Sequence, residues 1–149
     1  MSNLWDLSNI QPRTDVVVEG DTLAKIFWNA AAMRGDKVWM RQKDLGIWRS
    51  WTWRQTADAV DEVAAGLLSL GFESGQCASI LSNTIVEWVL AELAVLSCGG
   101  VANGIYPTDA AVQVNYLCED SSTAVLFVED DEQLDKALEV RDQLPLIKK

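Results

Sequence analysis

The sequence predicts an α/β protein in which an N-terminal helix and a β-hairpin precede a doubly wound, mainly parallel βα segment. From residue 52 onward, stretches with helical apolar spacing alternate with short apolar runs in the order α, β, α, β, α, β, α. These runs are too apolar for half-exposed strands, and their separations allow the crossovers of about a dozen residues that parallel strands need. The 149 residues suit one domain with a genuine core.

The first elements are a helix and a hairpin. Apolar residues recur at helical spacing after Thr22, and Gly35 supplies the helix stop. Two β runs and the hairpin loop between them follow: 37–42, 47–53 and 43–46. Residues 1–20 are expected to form an irregular arm, in which the valine triplet 16–18 is a candidate for a short edge strand.

The βα segment opens with a capping box, Thr52 to Gln55, and its first helix ends at Gly71. A second capping box is predicted at Thr84 to Glu87, ahead of an almost wholly apolar helix that should lie between other layers. The remaining elements are strands over 77–81, 101–106 and 123–128, a helix over 109–117, and a last helix capped by Asp130 and Gln133.

Aromatic and sulfur-containing side chains are expected to serve the core. Four tryptophans surround the hairpin, and packing against the next helix is favoured over a stacking platform for a ligand: Trp39, Trp48, Trp51 and Trp53. Three cysteines, about twenty residues apart and without a C-x-x-C pair, indicate buried free thiols in a reducing compartment. Because the N-terminus lacks a signal peptide, the expected compartment is the cytoplasm.

Composition excludes several classes of function. The chain has no histidine, which removes Ser-His-Asp and Cys-His nucleophile systems and imidazole metal sites. Twenty-two acidic and twelve basic residues give a net charge of −10, which disfavours nucleic acid and anionic membrane surfaces as partners. The densest apolar run, 88–96, is far shorter than the roughly 20 residues of a transmembrane helix.

Phosphate and metal motifs are also missing. There is neither a Walker loop nor a G-x-G-x-x-G sequence, and the pair Gly99–Gly100 is interpreted as a helix stop with close packing. The acidic run 129–132 lacks the alternating spacing of a calcium loop and is interpreted as a helix start. No catalytic, cofactor-binding or metal-binding residue is therefore predicted.

The positional rule for open α/β sheets still marks a place for a ligand, outside the carboxyl ends of the strands. The candidate pocket-rim residues there are Asn83, Thr84, Tyr106 and Thr108, with plain helix capping as the alternative for each. Ser82, Pro107 and the pair Glu129–Asp130 occupy the same strand ends.

An ordered series of short motifs resembles the N-terminal portion of AMP-forming acyl-CoA synthetases, which belong to the adenylate-forming ligase superfamily. The series consists of Lys43–Trp48, Trp51–Trp53, Gly71–Phe72, Gly75, Asn83 with Glu87–Trp88, Gly99–Gly100, Tyr106–Thr108 and Phe127–Asp130. It is most similar to the long-chain fatty-acyl branch, although residues 83–88 depart from the Asn-Arg-Pro-Glu-Trp form of that branch. The resemblance implies that residues 21–149 are an incomplete part of the ligase large domain, truncated before the phosphate-binding loop.

The family's reaction joins a fatty acid to CoA through an acyl-adenylate, with ATP, Mg²⁺ and CoA as requirements of the full-length enzyme. By this resemblance the chain would bind none of them and be inactive alone, with part of the acyl-pocket wall as its contribution. An isolated fragment is also expected to self-associate through uncovered apolar faces. The alternative is a self-contained, non-catalytic α/β binding or interaction module, and a flavodoxin-like protein is a more distant one.

Overall fold

A computed structural model describes residues 19–147, so the predicted arm is described only at Glu19 and Gly20, and the valine triplet lies outside the described residues. Helices α1–α5 span Leu23–Arg34, Trp53–Ser69, Val86–Ser97, Ala111–Asp120 and Asp131–Glu139. Strands β1–β5 span Val38–Asp44, Ile47–Thr52, Cys77–Leu81, Val101–Ile105 and Thr123–Val128. A short 3₁₀ turn, Arg141–Gln143, follows α5.

The five strands form two sheets. β1 and β2 form an antiparallel hairpin, and the other three form a parallel sheet in the order β4-β3-β5. Every residue of β3 is buried, because β3 lies in the centre with helices on both faces. The predicted α/β class, hairpin and doubly wound parallel segment are therefore confirmed.

Two apolar clusters cover the two faces of the parallel sheet. The larger one packs α1, α2 and α3 with the inner face of the hairpin against Ala78 and Val125. The smaller one packs α4 and the segment after α5 against Leu81 and Ile105. On the face of the sheet that the smaller cluster covers, the buried hydroxyls of Ser79 and Thr123 lie 2.6 Å apart. Each hydroxyl is therefore hydrogen-bonded, and neither pays the free-energy cost of an unpaired buried polar group.

Of the four tryptophans in and next to the hairpin, all but Trp48 pack against the core. Trp39 and Trp53 stack with their ring centroids 4.3 Å apart, and Phe27 packs against both of them. Trp51 is half-buried against the same cluster. Trp48 differs, since most of its side chain is exposed on the hairpin.

Of the two predicted capping boxes, one is confirmed and the other is wrong. The Thr52 side chain accepts a hydrogen bond from the backbone N–H of Gln55, and the reciprocal bond completes the predicted capping box. The predicted box at Thr84 does not form: α3 begins after Ile85, without a side-chain cap from its own segment. The Gln42 side chain of the hairpin accepts from the backbone N–H of Val86 instead, at 2.8 Å.

Strand β4 corrects a second expectation. It ends at Ile105, and its residues Val101 and Gly104 are exposed, whereas the sequence predicts a strand through Tyr106 that is covered on both faces. The reason is its position, because β4 is an edge strand of the three-stranded sheet. The helix after it begins at Ala111, two residues later than predicted, because the chain first makes a turn in which the Asp109 N–H donates to the Tyr106 carbonyl at 3.0 Å.

Candidate functional site

The carboxyl ends of β3 and β4 enclose a notch of about 420 Å³ at one edge of the parallel sheet. Its lining comes from the loop after β3, the last turn of β4, and one helix residue: Ser82, Asn83, Thr84, Trp88, Gly104, Ile105, Tyr106 and Pro107. Gly104 places no side chain in the notch, and a Cβ at this position would lie in ordinary contact with the Trp88 ring, at 3.6 Å. The notch thus has an aromatic wall and a polar rim, as ligand clefts in such sheets do.

Three of the four predicted pocket-rim residues are brought together in this notch. Asn83 and Thr84 lie on one side, and Tyr106 lies on the other with 76% of its surface exposed. Thr108 is exposed, two residues beyond Tyr106, and is not part of the lining.

Glu129, at the end of β5, fixes the polar side of the rim. One of its carboxylate oxygens, Oε2, accepts hydrogen bonds from the Asn83 backbone N–H at 2.6 Å and side-chain amide at 3.0 Å. The Ser82 hydroxyl lies 3.1 Å from the same oxygen, and its one proton is shared between this oxygen and the nearer Asn83 carbonyl oxygen at 2.8 Å. Because hydrogen bonds to a charged acceptor are stronger than neutral ones, this carboxylate holds the loop after β3 in place.

The loop after β3 is therefore held at both ends. Glu129 binds its start, and Gln42 binds the first N–H of α3 at its end. Neither role follows from the sequence reasoning, in which Glu129 marks a strand end and Gln42 has no assigned role. The position of Glu129 directly after an apolar strand was the available signal, whereas the Gln42 contact spans 44 residues and leaves no local pattern.

The acidic run after β5 serves helix α5. Asp130 accepts a hydrogen bond from the backbone N–H of Gln133 at 3.0 Å, as predicted for an N-cap. Asp131 and Glu132 lie in the first turn, where negative charge complements the helix dipole. Across residues 19–147 no cluster of three or more aspartate, glutamate or cysteine side chains is arranged to hold a metal ion.

The glycine pair after α3 packs closely, in agreement with its predicted structural role. Gly99 adopts a φ of +74°, in the left-handed region. A Cβ at Gly100 would approach the ring of Phe72 to 2.6 Å. No residue other than glycine fits there without displacing the ring.

The cysteines are free thiols in the core, as predicted. Cys77 and Cys118 are buried and Cys98 is half-buried. Burial raises the pKa of the Cys98 and Cys118 thiols, which keeps them protonated and poorly nucleophilic at neutral pH. In the part of the chain from Glu19 to Ile147, no helix is long and apolar enough to cross a bilayer.

Comparison with known proteins gives consistent results from family, sequence and structure. The AMP-binding enzyme family matches residues 27–149. The long-chain-fatty-acid–CoA ligase ACSBG2 of Xenopus laevis is 31% identical over 127 residues, which are 85% of this chain and 17% of that protein. The long-chain-fatty-acid–CoA ligase FadD15 of Mycobacterium bovis is 31% identical over 137 residues, 92% of this chain and 23% of its own length.

Solved structures show the same fold. The anthranilate CoA ligase AuaEII in complex with anthranoyl-AMP superimposes with a TM-score of 0.78 and 25% identity, over 90% of this chain and 25% of the ligase. The acetoacetyl-CoA synthetase of Streptomyces lividans gives a TM-score of 0.75 and 26% identity, over 83% of this chain and 21% of the synthetase. The chain thus spans about a fifth of the length of the curated relatives it matches.

Proposed function

Because the chain belongs to the AMP-binding enzyme family, we propose that it is the N-terminal part of the large domain of a long-chain fatty-acid–CoA ligase. The main support for this proposal is the similarity to two such ligases over 85% and 92% of this chain. In this proposal residues 1–20 are an arm and residues 21–149 belong to the AMP-binding domain. The free thiols favour a reducing compartment, and we propose the cytoplasm.

The reaction proposed for the whole protein converts a fatty acid, ATP and CoA to acyl-CoA, AMP and pyrophosphate. Charge accumulates at the α-phosphorus in the first half-reaction, so donors and Mg²⁺ must meet the phosphates there. We assign neither ATP, Mg²⁺ nor CoA to residues of this chain. We therefore expect no fatty-acid-dependent pyrophosphate release from the purified 149-residue chain.

The role proposed for this chain is to build a rim of the substrate site with the strand-end notch. Asn83 is held by Glu129, and Tyr106 presents an exposed aromatic ring across the notch. The amide of Asn83 and the phenol of Tyr106 are groups that can hold a substrate in position. Thr108, beyond the lining, is a less direct candidate on the same loop.

An apolar furrow between β5 and α5 supports the view that further protein packs here in the whole ligase. It has a volume of about 230 Å³, and Leu134 and Leu138 on its helical side are exposed. We expect the isolated chain to self-associate through this furrow, because a mostly apolar surface of this kind is unfavourable in water. Sedimentation at several concentrations should show a Leu138→Lys variant that is less associated than the parent chain.

A chimera tests the ligase proposal directly. Residues 27–149 replace the matching segment of the M. bovis ligase FadD15, and formation of fatty acyl-CoA is measured. The expected result is a folded chimera that retains the activity of the parent ligase. A chimera that folds and binds ATP, yet forms no acyl-adenylate from any fatty acid, would contradict the proposal.

The two tyrosines of the chain provide a matched control for the notch. Tyr106 lines the notch, whereas Tyr116 is exposed on α4 outside it. In the chimera, Tyr106→Ala should lower kcat/KM for the fatty acid, while Tyr116→Ala should leave it unchanged. If both substitutions had equal effects, the notch would not be part of the substrate site, and the family assignment would still stand.

A further inference from the structure

The tip of the β1–β2 hairpin exposes three large apolar side chains to solvent. Leu45 is 94% exposed, Ile47 68% and Trp48 63%. Single exposed apolar residues are ordinary on a protein surface, but these three lie within four consecutive positions. Leu45 also has a φ of +46°, so the turn itself would favour glycine or asparagine at this position.

The strand register places basic side chains beside the exposed tryptophan. Lys43 pairs with Trp48 across the hairpin, and Arg41 pairs with Ser50. Directly paired residues share a face of an antiparallel ladder, so Lys43 and Trp48 point the same way. The opposite face carries Met40 and Trp51 into the core, which leaves Arg41, Lys43 and Trp48 outward. Ile47 pairs with Asp44 and so lies on the face of Met40 and Trp51, but near the end of the hairpin, where it is exposed. We call Arg41, Lys43, Leu45, Ile47 and Trp48 the hairpin tip, which presents apolar side chains on both faces of the hairpin.

The charge of the hairpin is opposite to that of the whole chain. Residues 38–52 contain three basic side chains and one acidic one, while the net charge of the chain is −10. That acidic side chain, Asp44, is 3.0 Å from the Arg49 guanidinium, so it does not neutralise Arg41 or Lys43. The hairpin is therefore locally basic although the chain as a whole is acidic, and local charge matters most at a surface because salt screens charges more than about 10 Å away.

We propose that the hairpin tip is a peripheral docking site for an anionic lipid bilayer. Tryptophan and aliphatic side chains favour the boundary between headgroups and acyl chains, and lysine and arginine are attracted to anionic headgroups. A nucleic acid would use the charges and leave Leu45 and Ile47 without a role. The proposal depends only on this surface and not on the ligase assignment.

Partitioning of the intact 149-residue chain onto vesicles tests the proposal. Sedimentation compares vesicles of phosphatidylcholine alone with vesicles of phosphatidylcholine and phosphatidylglycerol. Binding should be measurable on the anionic vesicles, weaker on the neutral ones, and reduced by salt. Brominated lipids should quench part of the tryptophan fluorescence, and Trp48→Ser should remove that quenching.

Substitutions at the tip should weaken the binding without unfolding the chain. Lys43→Glu should lower the partition coefficient at least about fivefold, from the attraction that each basic residue contributes near an anionic surface. Leu45→Gly should lower it as well while the thermal midpoint holds or rises, because glycine suits the left-handed turn. Lys25→Glu is the charge control, since Lys25 is exposed on α1 and pairs with Asp21.

Several outcomes would overturn the proposal. These are undetectable partitioning of the folded parent chain, equal binding to neutral and anionic vesicles, or equal losses for Lys43→Glu and Lys25→Glu. A dimer that dissociates on Trp48→Ser would assign the tip to a second copy instead. Binding to a single-stranded oligonucleotide that competes with the vesicles and is lost in Trp48→Ser would assign it to nucleic acid.

Discussion

Replacing Gly100 with alanine should destabilise the protein, because this glycine lies against the core and not in a ligand-binding loop. A Cβ at this position would lie 2.6 and 2.7 Å from two ring carbons of Phe72 and 3.0 Å from the Gln76 carbonyl oxygen. Real Cβ atoms do not approach carbon atoms this closely, so the ring must move. Phe72 is 3% exposed and its neighbours are close-packed, which makes that movement costly.

The expected loss is about 1–3 kcal/mol of unfolding free energy, the usual cost of inserting a methyl group into a filled core. Urea titration followed by circular dichroism measures it. Gly66→Ala is the matched control, since Gly66 lies within α2 and a Cβ there meets nothing within 4 Å. Gly66→Ala should stabilise the protein by up to about 1 kcal/mol through helix propensity.

A second substitution tests the cause of the loss. Phe72→Leu removes the ring carbons that the new methyl group would meet, so combining it with Gly100→Ala should cost less than the two single changes added together. A coupling of about 0.5 kcal/mol or more is expected for groups in direct contact. The reasoning fails if Gly100→Ala stabilises the protein as Gly66→Ala does, or if the two changes are additive.

Three further predictions concern capping and thiol chemistry. Asp130→Ala should cost about 1 kcal/mol because it removes the N-cap of α5, whereas Thr84→Ala should be nearly neutral in urea titrations because Thr84 caps no helix. Gln42→Ala should cost about 1 kcal/mol in the same assay, because it leaves the partly buried first N–H of α3 without its partner. Cys118 should react with a thiol reagent at pH 8 only after denaturation, because the thiol is buried and burial raises its pKa above the ordinary value. Rapid labelling of the native protein would contradict this prediction.

The parts of the fold that local sequence determines were predictable. The capping box at Thr52 depends on two side chains three residues apart, and the strand over 77–81 is apolar throughout, so both patterns were visible. The same local logic was wrong at Thr84. There the cap comes from Gln42, and no window of a few residues around α3 contains that side chain.

Exposure of β4 and of Trp48 was missed for a related reason. An apolar strand is equally apolar at the centre and at the edge of a sheet, and only the strand order β4-β3-β5 decides which one it is. A tryptophan in a hairpin likewise faces in or out according to register, which a single cross-strand pairing with Lys43 fixes. The sequence predicts that these residues lie in strands, whereas their exposure depends on which strands pair with them in three dimensions.

The rim of the notch joins three predicted residues to one whose role was missed. The strand-end rule brought Asn83, Thr84 and Tyr106 to the same edge of the sheet, because parallel strands end together. The rule says nothing about what fixes a loop at that edge. Glu129 does so here, and its role emerges only from the hydrogen bonds that converge on one carboxylate oxygen.

The contact between Gln42 and Val86 links the two surfaces to which we assign roles. Gln42 lies between Arg41 and Lys43 in β1, but on the opposite face of the hairpin, where its side chain reaches the start of α3. That start closes the loop whose other end Glu129 holds at the notch. A displacement of the hairpin relative to α3 would therefore strain this hydrogen bond. The hairpin that presents the lipid-facing tip thus also helps to hold the rim of the proposed substrate site.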